Sequence, residues 1–243
     1  MMVKMLDGIG KIVEGYNSVN AALENHRVEE IHIKEKNLQS KKIKDLIELA
    51  DHKKINIKVV KDNKNWKFKS TEYIAALCNP KKIFKDSDLG RFSKTNFIVC
   101  DHIQDTNNLG AIARSAASFD FNVMCIPERR SARLNERTFK ISSGGLETID
   151  IVEYKSIFTL IKKFQSMDIW TIGLDMNGDQ SIQNFDVGNQ FLAFFIGSEE
   201  NGLSNEIQNK LDEVLNISTT DKIESLNVSV AAGIAMQHIF IKN

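Results

Sequence analysis

The chain has 243 residues, 42% of them apolar and 26% charged, with 32 basic side chains balanced by 32 acidic ones. That length suits one large domain or two smaller ones, the apolar share is that of a globular protein, and no apolar run is long enough to span a bilayer. Three well-separated cysteines, Cys78, Cys100 and Cys125, lack C-x-x-C spacing and neighbouring histidines, which argues against a disulfide framework or a zinc site and fits a cytoplasmic protein.

The balanced total conceals an asymmetry. Residues 1–94 hold 20 Lys+Arg against 13 Asp+Glu, a surplus of +7, and residues 95–243 hold 12 against 19, a surplus of −7. A basic half and an acidic half predict two domains with different tasks.

Residues 12–25 read as a short strand, a turn at Gly15 and a helix from Asn17. Val28–Ile33 alternates apolar and polar as a strand does. Leu38–His52 has the apolar spacing of a helix face, Ile55–Val60 alternates again, and Tyr73–Cys78 predicts a further strand. This small α/β module, residues 1–79, carries no nucleophile–base pair, phosphate loop or metal spacing, so it reads as a binding or structural domain. Residues 80–95, polar and holding one of two prolines, predict a linker.

From Asn96 the pattern changes. Short apolar runs at Phe97–Cys100, Val123–Ile126, Ile169–Leu174, Phe191–Ile196 and Val214–Ile217 alternate with helical segments, which predicts a parallel sheet covered on both faces over residues 96–243. No G-x-G-x-x-G follows the first strand, so an ordinary dinucleotide site has little support. Pro127–Lys140 holds Arg129, Arg130, Arg133 and Arg137 in an otherwise acidic half, a candidate phosphate-binding segment. The histidines His32, His52, His102 and His238 are isolated and read as surface or capping residues.

Three stretches carry chemistry. Asp105–Ala117 is a polar loop, Asn107-Asn108-Leu109-Gly110, running into a small-residue helix with Arg114. Phe194–Ser204 is a buried strand running into the acidic, glycine-bounded turn Gly197-Ser198-Glu199-Glu200-Asn201-Gly202. Ile217–His238 is a Ser/Thr/Asp loop followed by Glu224-Ser225-Leu226-Asn227 and an apolar helix of small residues, with Ser225 and Asn227 where a helix cap belongs.

In this order, across residues 96–241, these stretches resemble the three motifs of the SpoU (TrmH) family of RNA ribose 2′-O-methyltransferases. The resemblance implies an α/β fold: a C-terminal parallel-sheet SPOUT domain with a trefoil knot, plus a small N-terminal α/β substrate-binding domain. It implies S-adenosylmethionine as cofactor, without metal, RNA as partner, and a homodimer that completes the RNA site. By the family's motifs, Asn108, Arg114, Glu199, Ser225 and Asn227 are the catalytic candidates. Gly197, Ile217, Ser218 and Leu226 hold the cofactor through backbone. Arg-Ser-Ala-x-Leu-Asn from Arg130 resembles the segment typical of the branch that methylates a guanosine of large-subunit (23S) ribosomal RNA; the alternatives are a transfer RNA ribose 2′-O-methyltransferase, or a non-catalytic RNA-binding or ribosome-assembly protein of the same fold. Gly15-Tyr-Asn-Ser-Val-Asn-Ala-Ala-Leu-Glu resembles the opening of that branch's substrate-binding domain. The stretch around Trp66 is short, and Glu72-Tyr73 replace an expected Gln-Gly pair, a departure that bears on any RNA contact made by that loop.

Overall fold

In the computed structural model, residues 8–242 are described, except 62, 69–70, 187, 189, 221 and 223–224. In chain order the elements are β1 (Ile12–Glu14), α1 (Tyr16–Glu24), β2 (Val28–Lys34), α2 (Lys41–His52), β3 (Asn56–Val60), β4 (Ile74–Cys78) and β5 (Ile83–Lys85). Then follow β6 (Phe97–Cys100), α3 (Thr106–Ser118), β7 (Val123–Pro127), α4 (Glu136–Ser142), α5 (Gly145–Thr148), β8 (Asp150–Tyr154), α6 (Ile157–Ser166) and β9 (Trp170–Leu174). The chain ends with β10 (Gln180–Ser181), β11 (Leu192–Ile196), α7 (Asn205–Gln208), β12 (Glu213–Asn216) and α8 (Val228–Lys242).

These elements form two compact units. The first comprises residues 1–82 and 134–148, the second residues 83–133 and 149–243. Two expectations drawn from the sequence differ from this. Residues 83–92 are not a linker: β5 pairs in parallel with β8, and a 3-10 turn, Asp86–Phe92, follows it with Leu89 buried. Residues 134–148 belong with the N-terminal unit although they lie well inside the second half of the sequence. The reason is visible in their side chains. Phe139 is fully buried, its backbone carbonyl accepts the Ser18 hydroxyl at 3.0 Å, and the Glu147 carboxylate takes two bonds from the Arg27 guanidinium at 2.8 and 2.9 Å.

The first unit is a four-stranded sheet in the order β1-β4-β2-β3, antiparallel except for the β2–β3 pair. Helix α2 buries Ile43, Leu46 and Ala50, the i, i+3, i+7 stripe that its spacing dictates. Gly15 enters α1 at φ 89°, a left-handed conformation that favours glycine.

The second unit is an eight-stranded, wholly parallel sheet in the order β10-β12-β9-β11-β6-β7-β8-β5. Its inner strands β6, β7 and β11 are buried along their whole length, as continuous apolar runs covered on both faces require. Phe97, Val99, Cys125, Val152, Phe164 and Phe195 share one core cluster. The order β10-β12-β9 has a topological meaning. The chain leaves β9, runs out to β10, returns to β11, and only then lays β12 into the slot between β9 and β10. Among the described residues no helix is long and apolar enough to cross a membrane.

Candidate active site

Parallel strands end on one side of a sheet, and ligand sites in such sheets collect there. Here the ends are in register: Ile196 of β11 sits beside Cys100 of β6 and Leu174 of β9, and Leu174 beside Leu215 of β12. The loops after these four strands carry the three motifs found in the sequence.

After β6, the Asp105 carboxylate caps α3 by accepting the Asn107 N–H at 2.8 Å. Asn108 therefore lies inside the first turn and is free for another task. It is 8% exposed. Its amide Nδ2 donates to Glu199 Oε1 at 2.9 Å, and its Oδ1 accepts from Asn227 Nδ2 at 3.1 Å. One asparagine thus joins all three motifs. Asn227 has a second role: its Oδ1 accepts the Ser229 N–H at 2.9 Å and caps α8, as its position predicted.

The turn after β11 folds back on itself. Gly202 N–H donates to the Ser198 carbonyl at 3.0 Å with Gly202 at φ 58°. The backbone of Gly202 then lies so close to Gly197 that a Cβ on Gly197 would strike its carbonyl group and the amide nitrogen of Leu203. Buried Gly197 and Leu203 anchor the turn, and Glu199 is exposed at its tip. After β12, Ile217 is half-buried and Ser218 exposed, with the Ser218 hydroxyl 3.2 Å from that of Ser181. Ser225 is exposed and Leu226 half-buried just before α8; Asp221, Ile223 and Glu224 lie outside the described residues.

Arg114 is exposed on α3, and no carboxylate pairs with it among the described residues. A bare guanidinium keeps its five donors available to an anion. Arg129, Arg130 and Arg133 are exposed in the loop after β7. That loop is pinned to the one after β6: Ala132 N–H and the Ser131 hydroxyl both donate to the Ile103 carbonyl, and Gln104 Nε2 donates to that of Arg130. Arg137 is exposed on α4, in the first unit.

Two features escaped the sequence reading. Asp175, in the loop after β9, accepts the Leu203 N–H through Oδ2 at 3.3 Å and the Asn177 N–H through Oδ1 at 3.1 Å, tying that loop to the acidic turn. Asn216 Nδ2 donates to the Gly178 carbonyl at 2.6 Å and ties the same loop to the end of β12. Asp175-Met176-Asn177-Gly178 has turn chemistry that could have flagged it. The second feature is buried Asp101, whose Oδ1 accepts the Tyr154 hydroxyl at 2.9 Å and lies 2.8 Å from His102 Nδ1. Burial, with Asp101 beside it, pushes the Tyr154 hydroxyl well above its usual pKa, so Tyr154 stays a donor. His102 is thus tethered rather than isolated. No local signal joins Asp101 to a strand residue 53 positions away.

Loops that approach backbone to backbone, with glycine wherever a Cβ would intrude, form a cradle suited to a flat ligand bound by main-chain groups. Gly178 shows the same crowding, since a Cβ there would come within 2.5 Å of the Leu215 carbonyl carbon. Gly197 lies in the turn of that cradle, Ile217 and Ser218 follow β12, and Leu226 comes just before the Asn227 cap of α8.

Comparisons with known proteins identify the family. A family model described as the SpoU rRNA Methylase family matches residues 95–237, and one described as RNA 2′-O ribose methyltransferase substrate binding matches residues 12–70. An uncharacterized tRNA/rRNA methyltransferase of Mycobacterium leprae is 36% identical over 142 residues, 58% of this chain and 46% of that protein. YacO of Bacillus subtilis, whose name places it among TrmH family tRNA/rRNA methyltransferases, is 32% identical over 146 residues, 60% of this chain and 58% of its own. The chain thus spans about half the length of the curated relatives it matches. The crystal structure of the SpoU methyltransferase AviRb from Streptomyces viridochromogenes, in complex with the cofactor AdoMet, superposes with a TM-score of 0.78 at 20% identity, covering 95% of this chain and 89% of that one. At that identity the likeness is one of fold. With a family model matched over more than half of its length, this chain belongs to the SpoU rRNA methylase family.

Proposed function

We propose that the chain is an S-adenosylmethionine-dependent RNA ribose 2′-O-methyltransferase, acting as a cytoplasmic homodimer on a guanosine of large-subunit (23S) ribosomal RNA. The observation that carries this reading is the hydrogen-bonded line Glu199–Asn108–Asn227, which draws three motifs together at the carboxyl ends of adjacent parallel strands. When bound, S-adenosylmethionine supplies an electrophilic methyl group on a sulfonium.

The chain's own part is to place the acceptor hydroxyl and manage its proton. Asn108 holds the first-motif loop against Glu199, so both have one orientation. Glu199, exposed and acceptor-rich, can orient the substrate or take the hydroxyl proton through water. Ser225 and Asn227 face the junction with α8, where ribose contacts are needed. Arg114 serves as a fork on the phosphate or as a donor to the developing alkoxide. It cannot serve as an ordinary base, because guanidinium stays protonated. Arg129, Arg130, Arg133 and Arg137 supply phosphate contacts, which give affinity rather than sequence choice.

The homodimer rests on α8. Its residues are apolar almost all round, which suits a helix buried on every side. The small residues of α8 are used within the chain: Ala232 and Ala235 are buried, and Gly233 abuts Ser115 of α3. Val230, Ile234, Phe240 and Ile241 remain exposed, and these are the residues a second copy would cover.

The test is calorimetry with S-adenosylmethionine, followed by mapping of ribose methylation across total RNA from a deletion strain. Leu226→Glu should abolish cofactor binding and Leu226→Met should be mild. No binding at millimolar cofactor, or an unchanged methylation map, would end this reading.

A further inference from the structure

The ends of β9, β11 and β12 meet at one residue that no motif contains. Asp175 follows β9. Its N–H donates to the Leu215 carbonyl of β12 at 3.0 Å. Its carboxylate accepts on both oxygens: Oδ2 from the Leu203 N–H of the acidic turn at 3.3 Å, and Oδ1 from the Asn177 N–H of its own turn at 3.1 Å. That turn closes with the Gly178 N–H on the Asp175 carbonyl at 3.1 Å, and Asn216 Nδ2 holds its far end through the Gly178 carbonyl at 2.6 Å.

The surroundings make room for this carboxylate. A Cβ on Gly202 would come within 2.6 Å of Asp175 Oδ2, and one on Gly173 within 3.1 Å of Leu203 Cδ1. The acidic turn therefore reaches β9 and its loop twice, by the Leu203 side chain over Gly173 and by the Leu203 N–H on Asp175. Its tip is held elsewhere, by Asn108 on Glu199. The loop after β9 has no such packing of its own. No residue from Asp175 to Asp179 is buried, and Met176 is 61% exposed, so hydrogen bonds rather than a core hold it in place.

A carboxylate supplies acceptors on both sides. An amide in its place would set an NH₂ donor against one of the two N–H groups. The consequence reaches the ligand. A site that is formed only part of the time binds with its affinity reduced by that fraction, and ordering a loop on binding costs free energy.

We propose that Asp175 is a positioning residue for the cofactor: its carboxylate holds the loop after β9 and the acidic turn at a fixed spacing, so the cradle is ordered before the cofactor arrives. It takes the cofactor from the function proposed above. Asn216 is the second tether of the same loop.

The test uses the full chain as wild type, Asp175→Asn and Asn216→Ala. Amide hydrogen exchange in the ligand-free protein reads the clamp directly. Asp175→Asn should speed exchange at Leu203 and Asn177 and leave the amides of β6 and β11 as slow as before. Calorimetry with S-adenosylhomocysteine should show binding weakened by roughly 10- to 100-fold, the range for one hydrogen bond to a charged group. In methyl transfer to RNA from a deletion strain, the KM for S-adenosylmethionine should rise while kcat stays close to wild type. Asn216→Ala should move the same readouts in the same direction, and it decides the matter if Asp175→Asn exchanges fast throughout.

Unchanged exchange at Leu203, or unchanged cofactor affinity in both variants while the wild type binds, would overturn the proposal. So would a fall in kcat with KM unmoved, the mark of a residue that only supports the fold. Each of these outcomes refutes only the clamp. Absence of cofactor binding in the wild type would instead refute the methyltransferase.

Discussion

At the scale of single residues, the site turns on which groups are tied and which are left open. Asn108 is tied at both ends, and no carboxylate pairs with the Arg114 guanidinium among the described residues. Arg114→Ala should therefore lower single-turnover methyl transfer by about 10²–10³-fold, the scale for removing one transition-state donor, and leave cofactor affinity nearly unchanged. Arg114→Lys separates the roles. If the planar fork matters, Lys will be nearly as poor as Ala; if charge alone matters, it will recover much of the rate. Wild-type turnover in Arg114→Ala would take Arg114 out of the chemistry. Asn108, Glu199 and Asn227 could be named from sequence because each sits in a dense local motif. Asp175 and the Asp101–Tyr154 pair could not, because their meaning depends on which strand ends lie side by side, and strand order is not written in local pattern.

At the scale of elements, the apolar runs of β6, β7, β9 and β11 were legible because burial on both faces forces them to be continuous. β8, Asp-Ile-Val-Glu-Tyr, is a central strand too, but its acidic residues mask the run. β5 hid for a similar reason, as three residues inside a polar stretch. Helix α8 was legible as a helix, but not which face was free. Gly233 abuts α3 and Ala232 and Ala235 are buried, leaving Val230, Ile234, Phe240 and Ile241 exposed. Ile234→Glu should therefore convert a dimer to a monomer at micromolar concentration, read by light scattering, with little change in thermal midpoint of the isolated chain. A chain that is already monomeric and fully active without the substitution would contradict the assignment.

At the scale of the whole molecule, the expected division of the sequence into consecutive domains meets a segment that changes sides. Residues 134–148 leave the second unit's sheet after β7 and return at β8, packed in the first unit by Phe139 and the Arg27–Glu147 pair. The Glu147 side chain is wholly buried and that of Arg27 nearly so. Removing one member of such a pair leaves an uncompensated charge, so Glu147→Ala should cost roughly 3–5 kcal/mol in chemical denaturation. The pH dependence has a definite sign. Burial raises the Glu147 carboxyl above its usual 4.5, with Arg27 opposing the rise. The folded state then holds the proton longer than the unfolded chain. The stability this group contributes is present below pH 4.5 and is lost as pH rises through its folded value. The thermal midpoint difference between wild type and Glu147→Gln should change across that mildly acidic window and be flat above it. A difference that is constant with pH would show that Glu147 does not titrate abnormally.

The placement of β12 sets a constraint on how the molecule can be made. Synthesis delivers β9, β10 and β11 first, so the slot for β12 is already bounded on both sides by earlier chain. Everything from Glu213 onward must be drawn into that slot, or the slot must close around it. Such a step comes late and is long-range, the kind that limits folding of larger chains. Bulk attached beyond α8 should obstruct the passage without touching the finished contacts. A globular domain fused after the last residue is therefore expected to slow refolding from denaturant several-fold, yet leave the equilibrium unfolding midpoint where it was, whereas the same domain fused before residue 1 should change neither the refolding rate nor the midpoint. Equal refolding rates for the two fusions would mean that β12 reaches its place by a route that never passes the C-terminus.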